Sequence, residues 1–210
     1  MQITEIFLSI QGESLQAGLP AVFVRCTGCN LNCSYCDTQY ARQGGRSMTV
    51  GEIVDAVREM GVPRVCLTGG EPLLQDETLA LCAALVQPGW DVQVETNGSQ
   101  DIGGLPAEAR AIMDIKTPGS GVSDEGRPAD LKALRPGDEI KCVITDEADY
   151  AWARDYLDRE RPDGIPVIFT AARGRLEPRL LAEWLCRDRA AMIRFQLQLH
   201  TVLWPGEAGR

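Results

Sequence analysis

Arg25-Cys26-Thr27-Gly28-Cys29-Asn30-Leu31-Asn32-Cys33-Ser34-Tyr35-Cys36-Asp37-Thr38 is the stretch whose reading decides the rest. Four of the eight cysteines fall within it, in the order C-x2-C-x3-C-x2-C. Thiolates this close together, on a loop carrying a glycine and two asparagines, can converge on one metal centre. Two ordinary arrangements compete. Zinc ribbons place about fifteen to twenty residues between C-x2-C pairs, whereas three separate them here. Disulfide frameworks belong to short secreted chains. This chain has 210 residues, and its start, Met1-Gln2-Ile3-Thr4-Glu5, lacks the basic and apolar runs of a secretory signal.

The inner triplet, Cys29-x3-Cys33-x2-Cys36, resembles the signature of the radical S-adenosylmethionine (SAM) enzymes. In them three cysteines hold a 4Fe–4S cluster and leave the fourth iron open to SAM. On that resemblance a cluster ranks above zinc, and zinc above disulfides. Cys26 closes the apolar run Ala21-Val22-Phe23-Val24-Arg25-Cys26, which reads as a strand. Alternation puts it with Val22 and Val24, as a buried and inert thiol, and sends Arg25 to the other face with Phe23. Cys66, Cys82, Cys142 and Cys186 stand singly among apolar neighbours and read as free buried thiols without a role.

The length suits one domain with ample core, spanning 1–210. Hydrophobic content of 44% is ordinary for a globular protein, and no apolar run is long enough to cross a membrane. A net charge of −9 argues against nucleic acid, whose phosphates need clustered Lys and Arg. A small anionic substrate held by one or two basic groups remains compatible. The expected setting is the cytoplasm, with no membrane partner.

Along the chain, Glu5–Ile10 and Ala21–Cys26 read as strands. Thr49-Val50-Gly51-Glu52 is a capping box that opens a helix with Ile53, Val54, Val57 and Met60 on its apolar face. Arg64–Thr68 is a short strand, 75–86 a helix, and Asp91–Glu95 and Ala111–Lys116 are strands. Thr117–Gly137, rich in Gly, Pro, Ser and Asp, is a long loop rather than a domain linker. Glu139–Ile144 is a strand, 146–159 a helix, 166–170 a strand and 178–187 a helix. Arg194–Leu199 is expected to be the final strand. Strands alternating with helices predict an α/β fold with a mostly parallel sheet. The count favours a partial, open βα barrel of about six parallel strands, with an added N-terminal strand.

Sites in such sheets gather where strands end at their C-terminal edge. Arg25, Thr68-Gly69-Gly70-Glu71, Glu95-Thr96-Asn97-Gly98, Lys116 and Thr170 fall at such ends. Gly69-Gly70-Glu71-Pro72 follows a strand. Its glycines allow close backbone approach, and Glu71 offers an acceptor for an ammonium. The pattern resembles the GGEP motif by which radical SAM enzymes hold the methionine amino group, about thirty residues after the cysteines as it is here. Four further stretches narrow the resemblance: Gln11-Gly12-Glu13, Arg25-x2-Gly28-Cys29-Asn30-Leu31, Cys36-Asp37-Thr38 and Gln196-x-Gln198-x-His200. Together they resemble the 7-carboxy-7-deazaguanine synthase family of the queuosine and 7-deazapurine pathway, over nearly the whole chain.

The resemblance implies a lyase that contracts 6-carboxy-5,6,7,8-tetrahydropterin to 7-carboxy-7-deazaguanine with loss of ammonia. It implies a 4Fe–4S cluster, SAM and Mg2+ as cofactors, a flavodoxin- or ferredoxin-type electron donor, and a homodimer. Carried over by position, Cys29, Cys33 and Cys36 match the cluster ligands and Thr38 the Mg2+ ligand. Tyr35, Asp37, Gly69, Gly70, Glu71, Asn97, Asp114 and Lys116 match the SAM site. Ile10, Gln11, Gly12, Glu13, Arg25, Thr68 and His200 match the substrate site. No protein residue is expected to carry the radical. His200 is the one histidine and, by strand alternation, is expected to share a face with Gln196 and Gln198. The family's C-terminal carboxylate reaches substrate, but this chain continues from Trp204 to Arg210, which leaves that role for Arg210 open.

Ordinary roles compete at several positions. Gln11-Gly12-Glu13 and Asn97-Gly98 also suit plain turns, Lys116 suits a salt bridge, and His200 suits a solvated strand face. Two other functions compete as well. An activating enzyme that makes a glycyl radical on a partner shares the cysteines and GGEP, but has no evident need of Gln11-Gly12-Glu13 with Arg25. A zinc module or simple electron carrier would show one zinc and no sulfide.

Overall fold

The computed structural model describes residues 1–123 and 130–209. Part of the loop expected over 117–137, and Arg210, therefore lie outside the described residues. Nine strands form one sheet: β1 (Gln2–Ile10), β2 (Pro20–Cys26), β3 (Arg46–Ser47), β4 (Arg64–Gly69), β5 (Asp91–Thr96), β6 (Arg110–Ile115), β7 (Glu139–Ile144), β8 (Val167–Ala171) and β9 (Ile193–Gln196). Their spatial order is β3-β1-β2-β4-β5-β6-β7-β8-β9. From β2 to β9 every neighbouring pair is parallel, which makes seven parallel strands against the six or so expected. β1 lies antiparallel on β2, and β3 on β1. The two ends do not meet, so the barrel is open.

Each parallel strand is added beside the one before it, so the crossovers always step the same way and their helices can cover one face. The main core lies there. Val22, Val24, Val65, Leu67, Val92 and Val94 of the sheet pack on Ile53 and Val57 of α1 (Val50–Glu59), Leu81 and Leu85 of α2 (Thr78–Val86), Tyr150 and Leu157 of α3 (Glu147–Glu160), and Leu181 of α4 (Pro178–Arg187). Alternate residues point to the opposite face, which is polar: Thr68, Gln93 and Lys141 are all buried there. Cys26 is fully buried in the main core, as expected. Burial pushes its thiol up to about 12. Cys66, Cys82 and Cys142 are buried as well, but Cys186 is exposed, contrary to expectation.

Thr49 caps α1 with the predicted box, Thr49 Oγ1 accepting from Glu52 N while Glu52 Oε2 accepts from Thr49 N. Other boundaries differ from the expected ones for tertiary reasons. β1 begins at Gln2 because β3 pairs with Gln2 and Ile3. α2 begins three residues late because Gln75 is taken by another contact. Its side chain accepts from Gln2 N at 2.7 Å and donates to Gln2 O at 2.8 Å. No α-helix lies between β5 and β6, or among the described residues between β6 and β7, so strands and helices alternate only in part. β9 stops at Gln196, the last residue paired with β8. Beyond it the chain turns into α5 (Leu199–Leu203), where Leu199 N donates to Gly12 O at 3.0 Å. His200 therefore sits on a helix and not on a strand face.

The segment after β1 threads the barrel interior. Gln11 donates to Gln93 Oε1 at 3.1 Å, Gln93 to Ser14 Oγ at 3.3 Å, and Leu15 N to Glu139 Oε2 at 2.9 Å. Glu139 is fully buried, and its other oxygen has no hydrogen-bond partner among the described residues. Burial raises its carboxyl from 4.5 to about 6. A raised carboxyl contributes stability that is present below pH 4.5 and lost as pH rises through about 6. Glu139→Gln keeps the acceptor for Leu15 N and removes the buried charge. It is expected to stabilise the fold at pH 7.5 by on the order of 1–2 kcal/mol, and by almost nothing at pH 4.5. Denaturant unfolding at the two pH values checks this; a variant less stable at pH 7.5 would contradict it.

Candidate active site

The polar face opens into a cavity of about 360 Å³ at the C-terminal ends of the parallel strands. It is walled by Ile10-Gln11-Gly12-Glu13, Arg25, Cys29, Cys33, Tyr35-Cys36-Asp37-Thr38, Thr68-Gly69-Gly70, Asn97, Asp114, Lys116 and His200. These stretches are scattered from residue 10 to residue 200 and meet in one place. Of the residues expected to form the site, Glu71 alone is missing from the wall. It is fully buried, and its carboxylate accepts from Leu73 N at 3.1 Å, Thr96 Oγ1 at 2.9 Å and Asn97 N at 2.6 Å. Glu71 holds the Asn97 turn against the Gly69-Gly70 turn and is not turned to the cavity as an ammonium acceptor. Burial raises its carboxyl.

The cysteine loop leaves β2 and lies against the turn after β4. Gly70 N donates to Cys26 O at 3.2 Å and Glu71 N to Gly28 O at 2.8 Å. A Cβ on Gly70 would stand 1.9 Å from Gly28 O and 2.8 Å from Cys29 Cβ, so only glycine allows this approach. The loop's far side rests on residues 117–120. Ser34 N donates to Ser120 O and Ser34 Oγ to Gly119 O, both at 2.9 Å. Beneath them the buried Asp149 accepts from Thr117 Oγ1, Gly119 N and Thr145 Oγ1.

Cys29, Cys33 and Cys36 all face the cavity, while Cys26 is sealed in the core, which leaves three thiols for a shared centre. Leu31 N reaches Cys29 Sγ at 3.4 Å, the kind of donor that stabilises a thiolate bound to a metal. Burial raises the Cys33 and Cys36 thiols, so ligation there would release protons. Among the described residues no three His, Cys, Asp or Glu side chains are arranged to hold a metal ion directly. An iron–sulfur cubane is wider than one ion, and its thiolates need not converge on a point. The donor set fits a cluster held by three cysteines. Asp114 Oδ1 and the Tyr35 hydroxyl are buried in this wall without a hydrogen-bond partner among the described residues, so a polar ligand would satisfy them. Thr38 Oγ1 donates to Asp37 Oδ1 at 2.7 Å. That pair of hard oxygens suits Mg2+, which takes few protein ligands.

Lys141 was not legible as a site residue, yet it is the electrostatic centre of the cavity floor. Its ammonium lies 2.5 Å from Glu13 Oε2 and 3.3 Å from Asp114 Oδ2, and Lys116 lies 3.1 Å from the same Asp114 oxygen. Burial opposes the charge on each group, but the ion pairs prevail: both lysines are held above, and Asp114 below, their ordinary ranges. Glu95, expected at a strand end but given no role, accepts from Thr68 Oγ1 at 2.9 Å. The available signal was a polar residue at every second position of otherwise apolar strands: Gln93 and Glu95, Glu139 and Lys141. At the mouth, Gln198 donates to Glu13 Oε1 at 2.7 Å, and His200 Nε2 lies 3.3 Å from Asp37 Oδ2. Burial opposes charge on His200, but the Asp37 contact raises its pKa. Asp37 keeps 48% exposure, so solvent screens this pair. A Cβ on Gly12 would lie 2.3 Å from His200 Nδ1. Trp204, Gly206 and Ala208 carry the tail along the same mouth.

Residues 23–117 match the radical SAM superfamily. The 7-carboxy-7-deazaguanine synthase of Chlorobaculum tepidum is 45% identical, over 99% of this chain and 96% of its own length. That of Koribacter versatilis is 40% identical, over 99% and 98%. Among solved structures, QueE from Escherichia coli superposes with a TM-score of 0.76 at 22% identity, covering 93% of this chain and 92% of its own, which shows a shared fold. With near-complete coverage at this identity, the chain belongs to the 7-carboxy-7-deazaguanine synthase family of radical SAM enzymes.

Proposed function

We propose that the chain contracts 6-carboxy-5,6,7,8-tetrahydropterin to 7-carboxy-7-deazaguanine with loss of ammonia, and that the cavity above is where it does so. The observation that carries this reading is the meeting, in one cavity, of Gln11-Gly12-Glu13, Arg25, the three cysteines, Thr68-Gly69-Gly70 and His200. Cys29, Cys33 and Cys36 would hold the 4Fe–4S cluster. Tyr35, Asp37, Gly69, Gly70, Asn97, Asp114 and Lys116 would hold SAM, and Thr38 would hold Mg2+. When bound, cluster and SAM would supply the hydrogen-atom abstraction chemistry that starts the ring contraction.

The chain's own contribution is binding and orientation. The Arg25 guanidinium suits the substrate carboxylate. Glu13, held by Lys141 and Gln198, and Gln11, held by Gln93, set the turn that meets the pterin edge. Thr68, tied to Glu95, lines the wall between them. His200, oriented by Asp37 and seated over Gly12, closes the mouth and excludes water. We further propose one radical SAM domain over 1–210, a homodimer, a cytoplasmic setting and a flavodoxin- or ferredoxin-type donor. No helix among the described residues is long and apolar enough to cross a membrane.

Reconstituted anaerobically with dithionite, SAM, Mg2+ and the pterin, the protein is expected to yield 7-carboxy-7-deazaguanine by mass spectrometry. SAM cleavage without that product would reject the substrate. No cleavage despite a verified cluster would reject the reading. Cys29→Ala, Cys33→Ala and Cys36→Ala should each lose cluster iron, sulfide and visible absorbance, whereas Cys26→Ala should keep them. Gly12→Ala should displace His200 and raise KM by about tenfold or more, the loss of one charged hydrogen bond; an unchanged KM would remove His200 from the substrate site.

A further inference from the structure

The Arg25 guanidinium is held on three sides before any ligand arrives. Arg25 is the penultimate residue of β2, with its side chain only 13% exposed. Its Nε donates to Glu5 Oε1 at 2.7 Å, and the Tyr40 hydroxyl donates to the same oxygen at 2.7 Å. The guanidinium carbon lies over the Phe7 ring, 5.5 Å from its centre, and over the Tyr40 ring, 5.7 Å from its centre. Phe7 is itself stacked on Phe23 at 5.1 Å. Glu5 stands opposite Arg25 because of a register shift between Ile3 and Glu5 in the β1–β2 pair, an irregularity of the kind that re-aims side chains beside active sites. Among the described residues the two terminal nitrogens of Arg25 have no hydrogen-bond partner, and the residue lines the cavity.

We infer that Glu5, Phe7 and Tyr40 are positioning residues that fix the angle of the Arg25 guanidinium, so that its terminal edge receives the carboxylate of the substrate. The inference rests on the role given to Arg25 above. Arginine has many rotamers, and its fork recognises a carboxylate with two parallel bonds only when its plane is set. Glu5 occupies the Nε edge and the two rings restrain the plane, so ordering is complete before binding. In the proposed reaction the carbon that bears the substrate carboxylate is the one that loses hydrogen. A guanidinium free to turn would still attract the carboxylate but would let that carbon swing.

The test uses the reconstituted holoenzyme with SAM and Mg2+. Binding of 6-carboxypterin, the aromatic analogue of the substrate, is compared with binding of pterin, which lacks the carboxylate, by ligand fluorescence. Arg25→Gln is expected to abolish the preference for 6-carboxypterin. Glu5→Gln, which leaves a neutral acceptor for Nε, should reduce it by about five- to tenfold, and Tyr40→Leu, which removes the ring over the guanidinium, by about two- to fivefold. Tyr40→Phe, which keeps the ring, should stay within about twofold of the parent. In turnover, Glu5→Gln should lower kcat more than it raises KM and should increase the deoxyadenosine formed per product. A preference that is unchanged or increased in Glu5→Gln, with the product ratio unaltered, would overturn the inference and leave Glu5 a mere countercharge. A preference that survives Arg25→Gln would overturn the role of Arg25 itself. Tyr40 is 45% exposed, so Tyr40→Leu keeps the test valid should Glu5→Gln disturb β1.

Discussion

Two backbones can lie against each other only where no Cβ stands between them. The structure depends on one such approach, between the cysteine loop and the Gly69-Gly70 turn. A Cβ on Gly69 would come within 2.1 Å of Cys26 O, and one on Gly70 within 1.9 Å of Gly28 O. β2 and β4 are parallel neighbours, with Cys26 level with Gly69, so the two segments leave the sheet side by side. Whatever the cysteines hold is thereby placed at the same height as the ends of β5 and β6, where Asn97, Asp114 and Lys116 stand. The cavity follows from this register.

The second requirement is electrostatic. The inner face of the sheet carries ionised groups, and a buried ammonium is tolerated only when it is closely paired. Lys141 is paired twice, with Glu13 and with Asp114. The pairing ties the loop after β1 to β6 and β7, and Gln198 ties the chain beyond β9 to the same Glu13. The cavity floor is therefore a single network reaching from residue 13 to residue 198. That long span explains why the site cannot be assembled from the radical SAM region 23–117 alone. Glu13, Lys141 and His200 all lie outside it.

Much of this was legible in the order of residues. The cysteine spacing, the glycine pair at a strand end and the Gln11-Gly12-Glu13 turn are local patterns with local physical reasons, and each lies on the cavity wall. The α1 capping box and the bounds of α4 were legible for the same reason. Where a residue's partner is far away in sequence, reading failed. Gln75 looked like part of a helix and is held by Gln2. Glu71 looked like a ligand for an ammonium and is taken by the Asn97 turn. The alternation from Gln196 to His200 looked like a strand. β8 gives it no partner beyond Thr170, so the chain turns away, and Gln198 and His200 reach the mouth from a loop and a helix.

The amino-acid sequence by itself determined the fold class, the cysteine-rich loop and the glycines, because these follow from hydrophobic period, spacing and the absence of a side chain. Tertiary structure alone decided which polar groups face one another: Lys141 with Glu13 and Asp114, Arg25 with Glu5 and Tyr40, His200 with Asp37. The pairing of charges depends on distance in space, and a parallel sheet brings residues more than a hundred positions apart to within hydrogen-bond reach.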